Sequence, residues 1–125
     1  MVSTRLTDIY DYLKSLGIDV YFTGQHKGDV KIGEQYVVIR DAGGTQVGSY
    51  TSTVSYVELL CYVSIERRQD MEVFKERIQK IMRKPPMWPM FKDTYQVQPE
   101  FIDDEIKAVM VTLEFQYHKK IESSI

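Results

Sequence analysis

Leu6, Ile9, Tyr10, Leu13 and Leu16 recur at helical spacing, which places one apolar stripe on an amphipathic helix. Ser3 or Thr4 stands where a helix cap belongs, Asp8 lies near the positive end, and Gly17 is a natural stop. A second helix is predicted where Met71, Phe74, Ile78, Ile81 and Met82 repeat the stripe. Asp70 would cap it, Glu76 and Lys80 would pair across one turn, and Pro85-Pro86 would end it.

Between and after the helices the period changes to two. Val57, Leu59, Cys61, Val63 and Ile65 share one phase, while Glu58, Leu60, Tyr62 and Ser64 share the other. This alternation predicts a strand with one fully buried face and a half-apolar second face that also needs partial cover. The closing strand is clearer still, with Val109, Val111, Leu113, Phe115 and Tyr117 alternating with Ala108, Met110, Thr112, Glu114 and Gln116. Shorter strands are expected at Ile18 to Phe22, Tyr36 to Arg40 and Thr94 to Gln98. Thr23 to Glu34 reads as a glycine-punctuated loop, and Asp41-Ala42-Gly43-Gly44 as the stop of the strand before it. Thr45 to Ser55 reads as a long hairpin tip or mobile loop, Phe101-Ile102-Asp103-Asp104 as a turn, and the tail from Lys119 as frayed. The expected fold is one α+β domain over 1–125, a mainly antiparallel sheet with two helices packed on one face, in the order α-β-β-β-α-β-β.

Composition narrows the class. Among 125 residues, 43% are hydrophobic and 27% charged, with 16 basic against 18 acidic side chains. That mixture is too apolar for disorder and too balanced to bind a polyanion by bulk charge. No apolar run approaches the roughly 20 residues that span a bilayer, and the polar N-terminus does not read as a signal peptide. Cys61, alone, excludes an internal disulfide and fits a reducing compartment, so a soluble intracellular protein is expected.

Candidate chemistry is thin. Neither His26 nor His118 has a second ligand at metal-binding spacing, so both read as surface residues. Cys61 falls on the buried phase of its strand and reads as an inert core thiol. Gly43-Gly44-Thr45 lacks the lysine and following helix of a phosphate loop, and Asp103-Asp104-Glu105 lacks the alternation of a calcium loop. No serine nucleophile elbow is present. The expectation is no catalytic residue, no cofactor and no metal.

Charge is unevenly spread. The second helix carries Lys75, Arg77, Lys80, Arg83 and Lys84, whereas 93–106 carries Asp93, Glu100, Asp103, Asp104 and Glu105 with no basic residue. Because the aromatics fall in strand phases rather than among the basic residues, a solvated helix face is favoured over a nucleic-acid site. The two blocks could meet inside one chain or head to tail between copies, which makes Lys75, Lys80, Arg83, Asp103, Asp104 and Glu105 candidate subunit-interface residues. In the connector Met87 to Phe91, Trp88 could plug the core edge, or Trp88 and Phe91 could anchor a partner.

The chain resembles the small phage tail-terminator and tail-completion proteins, including those of phage-like particles and contractile bacteriocins. Three stretches carry the resemblance: the N-terminal helix, strand and loop-rich hairpin ending in Gly43-Gly44; Tyr56-Val-Glu-Leu-Leu-Cys-Tyr-Val-Ser-Ile65 running into the helix at Asp70 to Lys84; and Phe101-Ile-Asp-Asp-Glu-Ile-Lys-Ala-Val-Met110 leading to Tyr117-His-Lys-Lys120. The resemblance implies a homo-hexameric ring on the head-proximal end of a tail tube, with no catalytic residues. Such a ring stops tube growth, meets the sheath in contractile systems and offers a surface to the head connector or collar. It implies tube contacts from the hairpin tip, here Thr45, Gln46, Val47, Ser49 and Tyr50, and a place in a virion or phage-like particle tail assembled in the bacterial cytoplasm. Neither a membrane nor sequence-specific nucleic acid is an expected partner. The alternatives are a non-enzymatic adaptor that binds a protein through Met87 to Phe91 and, more weakly, a small-ligand enzyme, which the lack of converging polar residues disfavours.

Overall fold

The two longest alternating stretches lie side by side in the sheet. The computed structural model describes residues 4–25, 28–46 and 52–120. Its elements are α1 (Thr4–Ser15), β1 (Val20–Phe22), β2 (Gln35–Gln46), β3 (Ser52–Ser64), a 3-10 turn (Ile65–Asp70), α2 (Met71–Met82), β4 (Lys92–Val97), β5 (Phe101–Asp103) and β6 (Ala108–Lys120). The six strands form one sheet in the order β1-β2-β3-β6-β4, with β5 also on β6. Among the described residues only the β1–β2 pair is parallel; the other pairs are antiparallel.

One strand more is present than the pattern predicts, so the order is α-β-β-β-α-β-β-β. Phe101 and Ile102 are not a turn but pair with Met110 and Val109. The Asp103 carboxylate accepts the Glu105 N–H at 3.1 Å, so the chain reverses after Asp103 rather than before it. Asp41 to Gly44 likewise does not stop its strand. Asp41 pairs with Val57 and Gly44 with Ser55, so one extra residue is absorbed as a bulge and β2 continues to Gln46. Gly43 makes this possible with a φ of 84°, and its N–H is held by the Asp41 carboxylate at 2.9 Å.

α1 ends as its sequence requires. Gly17 takes a φ of 80°, its N–H reaches the Lys14 carbonyl at 3.0 Å, and the Ile18 N–H reaches the Leu13 carbonyl at 3.1 Å. The start of α2 departs from expectation. Because the chain enters it already wound in the 3-10 turn, Asp70 has helical backbone angles and caps nothing. Its carboxylate instead takes the Arg67 guanidinium at 2.9 Å. Ser3 lies outside the described residues.

Burial follows the alternation. Val37, Ile39, Val57, Leu59, Cys61, Val63, Val109, Val111, Leu113 and Phe115 join one cluster with Leu6, Ile9 and Leu13 of α1 and Met71, Phe74, Ile78 and Met82 of α2. The opposite phase is covered in part by the chain itself. Val30, Tyr36 and Ala108 are buried there, with Tyr21, Val38, Tyr62 and Ile106 packed around them. The Val30 N–H bonds the Ile106 carbonyl at 2.7 Å, tying the glycine-rich loop to the turn before β6.

Leu59 is completely buried in the central strand. Leu59→Ala is expected to lower unfolding free energy by about 3 kcal/mol, the usual cost of a leucine cavity. Urea denaturation followed by circular dichroism measures it.

Candidate functional site

Of the residues predicted to touch a tube from the hairpin tip, Thr45 and Gln46 lie at the far end of the β2–β3 pair. The backbones of Thr45 and Gln46 pair with Val54 and Thr53, and β6 extends the same end through His118, Lys119 and Lys120. Val47, Ser49 and Tyr50, like His26, lie outside the described residues. The sequence pattern reads Thr45 to Ser55 as a long hairpin tip or a mobile loop. In the structure its described residues, 45–46 and 52–55, are paired strand and belong to the end of a three-stranded ribbon that runs past the last apolar positions of the helix-covered core.

The connector after α2 divides its two aromatic candidates. Phe91 is fully buried and meets the Tyr117 ring at 5.4 Å, so it is a core residue and not a surface anchor. Met87 is buried beside it, whereas Trp88 is 49% exposed. The backbone bonds Trp88 N–H to Lys84 carbonyl and Phe91 N–H to Met87 carbonyl wind this proline-rich segment into successive turns. Trp88 is thereby presented on a loop that its two buried neighbours hold down.

The charged candidates resolve into used and unused groups. Arg83 grips Asp93 through Nε at 2.8 Å and a terminal nitrogen at 2.6 Å, and its guanidinium lies 5.0 Å from the Tyr95 ring. With that pair the basic and acidic blocks meet within one chain, and Arg68, ahead of α2, meets Glu100 at 3.5 Å. Lys75 pairs with Glu72 at 3.0 Å, and Asp103 is occupied by its own turn. Lys80, Asp104 and Glu105 are exposed, with no ion pair among the described residues.

Two features escaped the sequence pattern. The first is a tyrosine cluster on the sheet face away from the helices. Tyr36 stacks on Tyr62 with centroids 4.8 Å apart and meets Tyr21 edge-on at 5.4 Å. The signal was the aromatic residues on the half-apolar phase, at Tyr36 and Tyr62. Below them a cleft of about 230 Å³ is lined by Val38, Arg40, Leu60 and Ile106, and Arg40 is held by Glu58 at 2.8 Å. The second is the irregular edge at β4. Asp93 pairs with Phe115 but Val97 with Leu113, so two extra residues bulge outward, with Tyr95 at a φ of 61°.

Burial pushes the Cys61 thiol up to about 12, against a smaller opposing pull from Lys75, so the thiol stays protonated. Among the described residues no group of three or more His, Cys, Asp or Glu could hold a metal ion. No helix of the described chain is long and apolar enough to cross a membrane.

Two measurements check this arrangement. The Asp93 side chain is only 6% exposed, so Arg83→Met strands its charge and is expected to cost about 2 kcal/mol, with Asp93→Asn costing less. Burial, then the neighbouring Tyr62 and Glu34, raises the Tyr36 hydroxyl above its ordinary value, and burial, then Asp103, raises Tyr62. Both stay neutral in the folded chain where unfolded tyrosine ionises, near pH 10. Their contribution is complete below that pH, so stability is expected to fall as pH rises beyond it, and Tyr62→Phe is expected to flatten that fall in alkaline urea titrations. No protein-family model matches the chain, and no curated protein matches its sequence.

Proposed function

We propose that this chain is a structural ring subunit that caps the head-proximal end of a phage-type tail tube. In this reading copies of it close into a ring that ends tube and sheath growth and joins tail to head or collar, with no bond made or broken. The ribbon end formed by β2, β3 and β6 carries the reading. It continues the sheet past the core as a hydrogen-bonded platform in which Gly44-Thr45-Gln46 lies opposite Thr53-Val54-Ser55, mostly polar and without charge, while β6 brings Lys119 and Lys120 alongside. A paired ribbon suits docking onto a cylinder better than a free loop does, because less order remains to be imposed on binding. The unused charges at Lys80, Asp104 and Glu105 suit contact between copies. Its place would be the tail of a virion or phage-like particle, assembled in the bacterial cytoplasm, and it would need no cofactor.

A second reading has one observation behind it: Trp88, half-exposed on an anchored loop, fits a monomeric adaptor that grips a protein partner. The two separate in one experiment. Tail-tube protein is polymerised with and without the purified chain, and lengths and ends are measured by electron microscopy. A ring subunit is expected to shorten the tubes and appear as a collar at one end, and Thr45→Asp with Gln46→Asp is expected to weaken capping about tenfold by burying unpaired charge. Unchanged tube lengths with no protein at the ends would overturn the proposal.

A further inference from the structure

We propose that the groove between the end of α1 and the face of α2 is the socket for the β5–β6 turn of a second copy of this chain. This deepens the ring reading and rests on it for the closure of the assembly, although the contact itself is argued from the two surfaces.

The socket is apolar at its floor. Leu16, Val73 and Ile81 line a groove of about 520 Å³, and Val73, in the first turn of α2, is 72% exposed while Met71, Phe74, Ile78 and Met82 are buried. Its rim holds Glu76, Arg77 and Lys80, one acidic group against two basic ones. Neither Arg77 nor Lys80 has an ion-pair partner among the described residues. Lys84, exposed just past the end of α2, adds a further positive charge to that end of the molecule.

The turn has the matching character. Phe101 is 55% exposed and Ile102 is 40% exposed, on opposite faces of their strand, and the exposed Asp104 and Glu105 follow after Asp103. An exposed apolar side chain with two carboxylates therefore stands opposite, in kind, to an apolar groove with two cations, none of these charges being ion-paired among the described residues. The Asx bond at Asp103 and the pairing of β5 with β6 hold this turn in one shape, which keeps the ordering cost of docking low.

Within one chain no ion pair joins the two surfaces among the described residues. α1 and α2 pack on one face of the sheet, whereas β5 lies along β6 at the strand edge away from β1 and β2. In this pairing the turn enters the groove of another molecule. Contact between two unlike patches is heterologous, so each copy keeps one free socket and one free turn until a ring closes.

Charge exchange tests the pairing directly. Sedimentation velocity at low salt is run on the full chain, on Lys80→Glu, on Glu105→Lys with Asp104→Lys, on the variant carrying all three changes, and on Val73→Asp. All these sites are exposed, and unchanged circular dichroism and urea midpoints confirm folding. The wild-type chain is expected to self-associate, more weakly as salt rises. Lys80→Glu, the turn double variant and Val73→Asp are each expected to raise the dissociation constant about tenfold or more, and the combined charge exchange to recover most of the loss. A wild-type chain that stays monomeric, or association that none of these variants alters, would overturn this pairing. Tube capping measured on the same preparation decides separately whether the ring reading survives that result.

Discussion

Strict alternation along β3 is the constraint on which the remaining structure depends. The strand is paired along its length with β6 and over most of it with β2, so its register is fixed from two sides. A slip by one residue would exchange Leu59 and Cys61 for Glu58 and Leu60 and turn a carboxylate into the helix-packed core. In the observed register Glu58 faces Glu114 across the β3–β6 pair on the opposite side of the sheet. Each is satisfied from further out, Glu58 by Arg40 and Glu114 by the Thr94 hydroxyl at 2.9 Å. Like charges opposite one another repel, so these lateral partners are part of what makes the register tolerable.

That alternation is also why so much of the fold was legible. The period of two at 57–65 and 108–117, and the helical stripes beginning at Leu6 and Met71, are side-chain patterns, and burial reads them out without reference to distant residues. What stayed hidden depends on single hydrogen bonds. Gly43 looks like a strand stop until Asp41 takes its N–H, and Asp103 looks like the middle of a turn until it is seen to open one. Asp70 looks like a cap, yet the 3-10 turn before it removes the need. Phe91 offered the same hydrophobic signal whether it faced a partner or Tyr117, and only the folded connector decides between them.

Electrostatics divided along similar lines. Composition showed a basic helix end and an acidic segment, without saying which charges would be consumed. The fold spends Arg83 on Asp93 and Arg68 on Glu100, pairs that fasten α2 and the turn before it to the strands that follow. The candidate surface residues that matter are therefore the remainder, and a remainder can be identified only after the internal pairs have been assigned.

The bulge in β4 has a bearing on how copies of this molecule can meet. The Tyr95 N–H is taken by the Asp93 carboxylate at 2.7 Å and the Gln96 N–H by the Thr94 hydroxyl at 3.3 Å, so donors that an outer strand normally offers are occupied from within. With Tyr95 twisted to a positive φ, this border cannot template an added strand. Sheet extension by an added strand is thus blocked along β4, and the surface that this border offers is one of side chains rather than of open backbone donors.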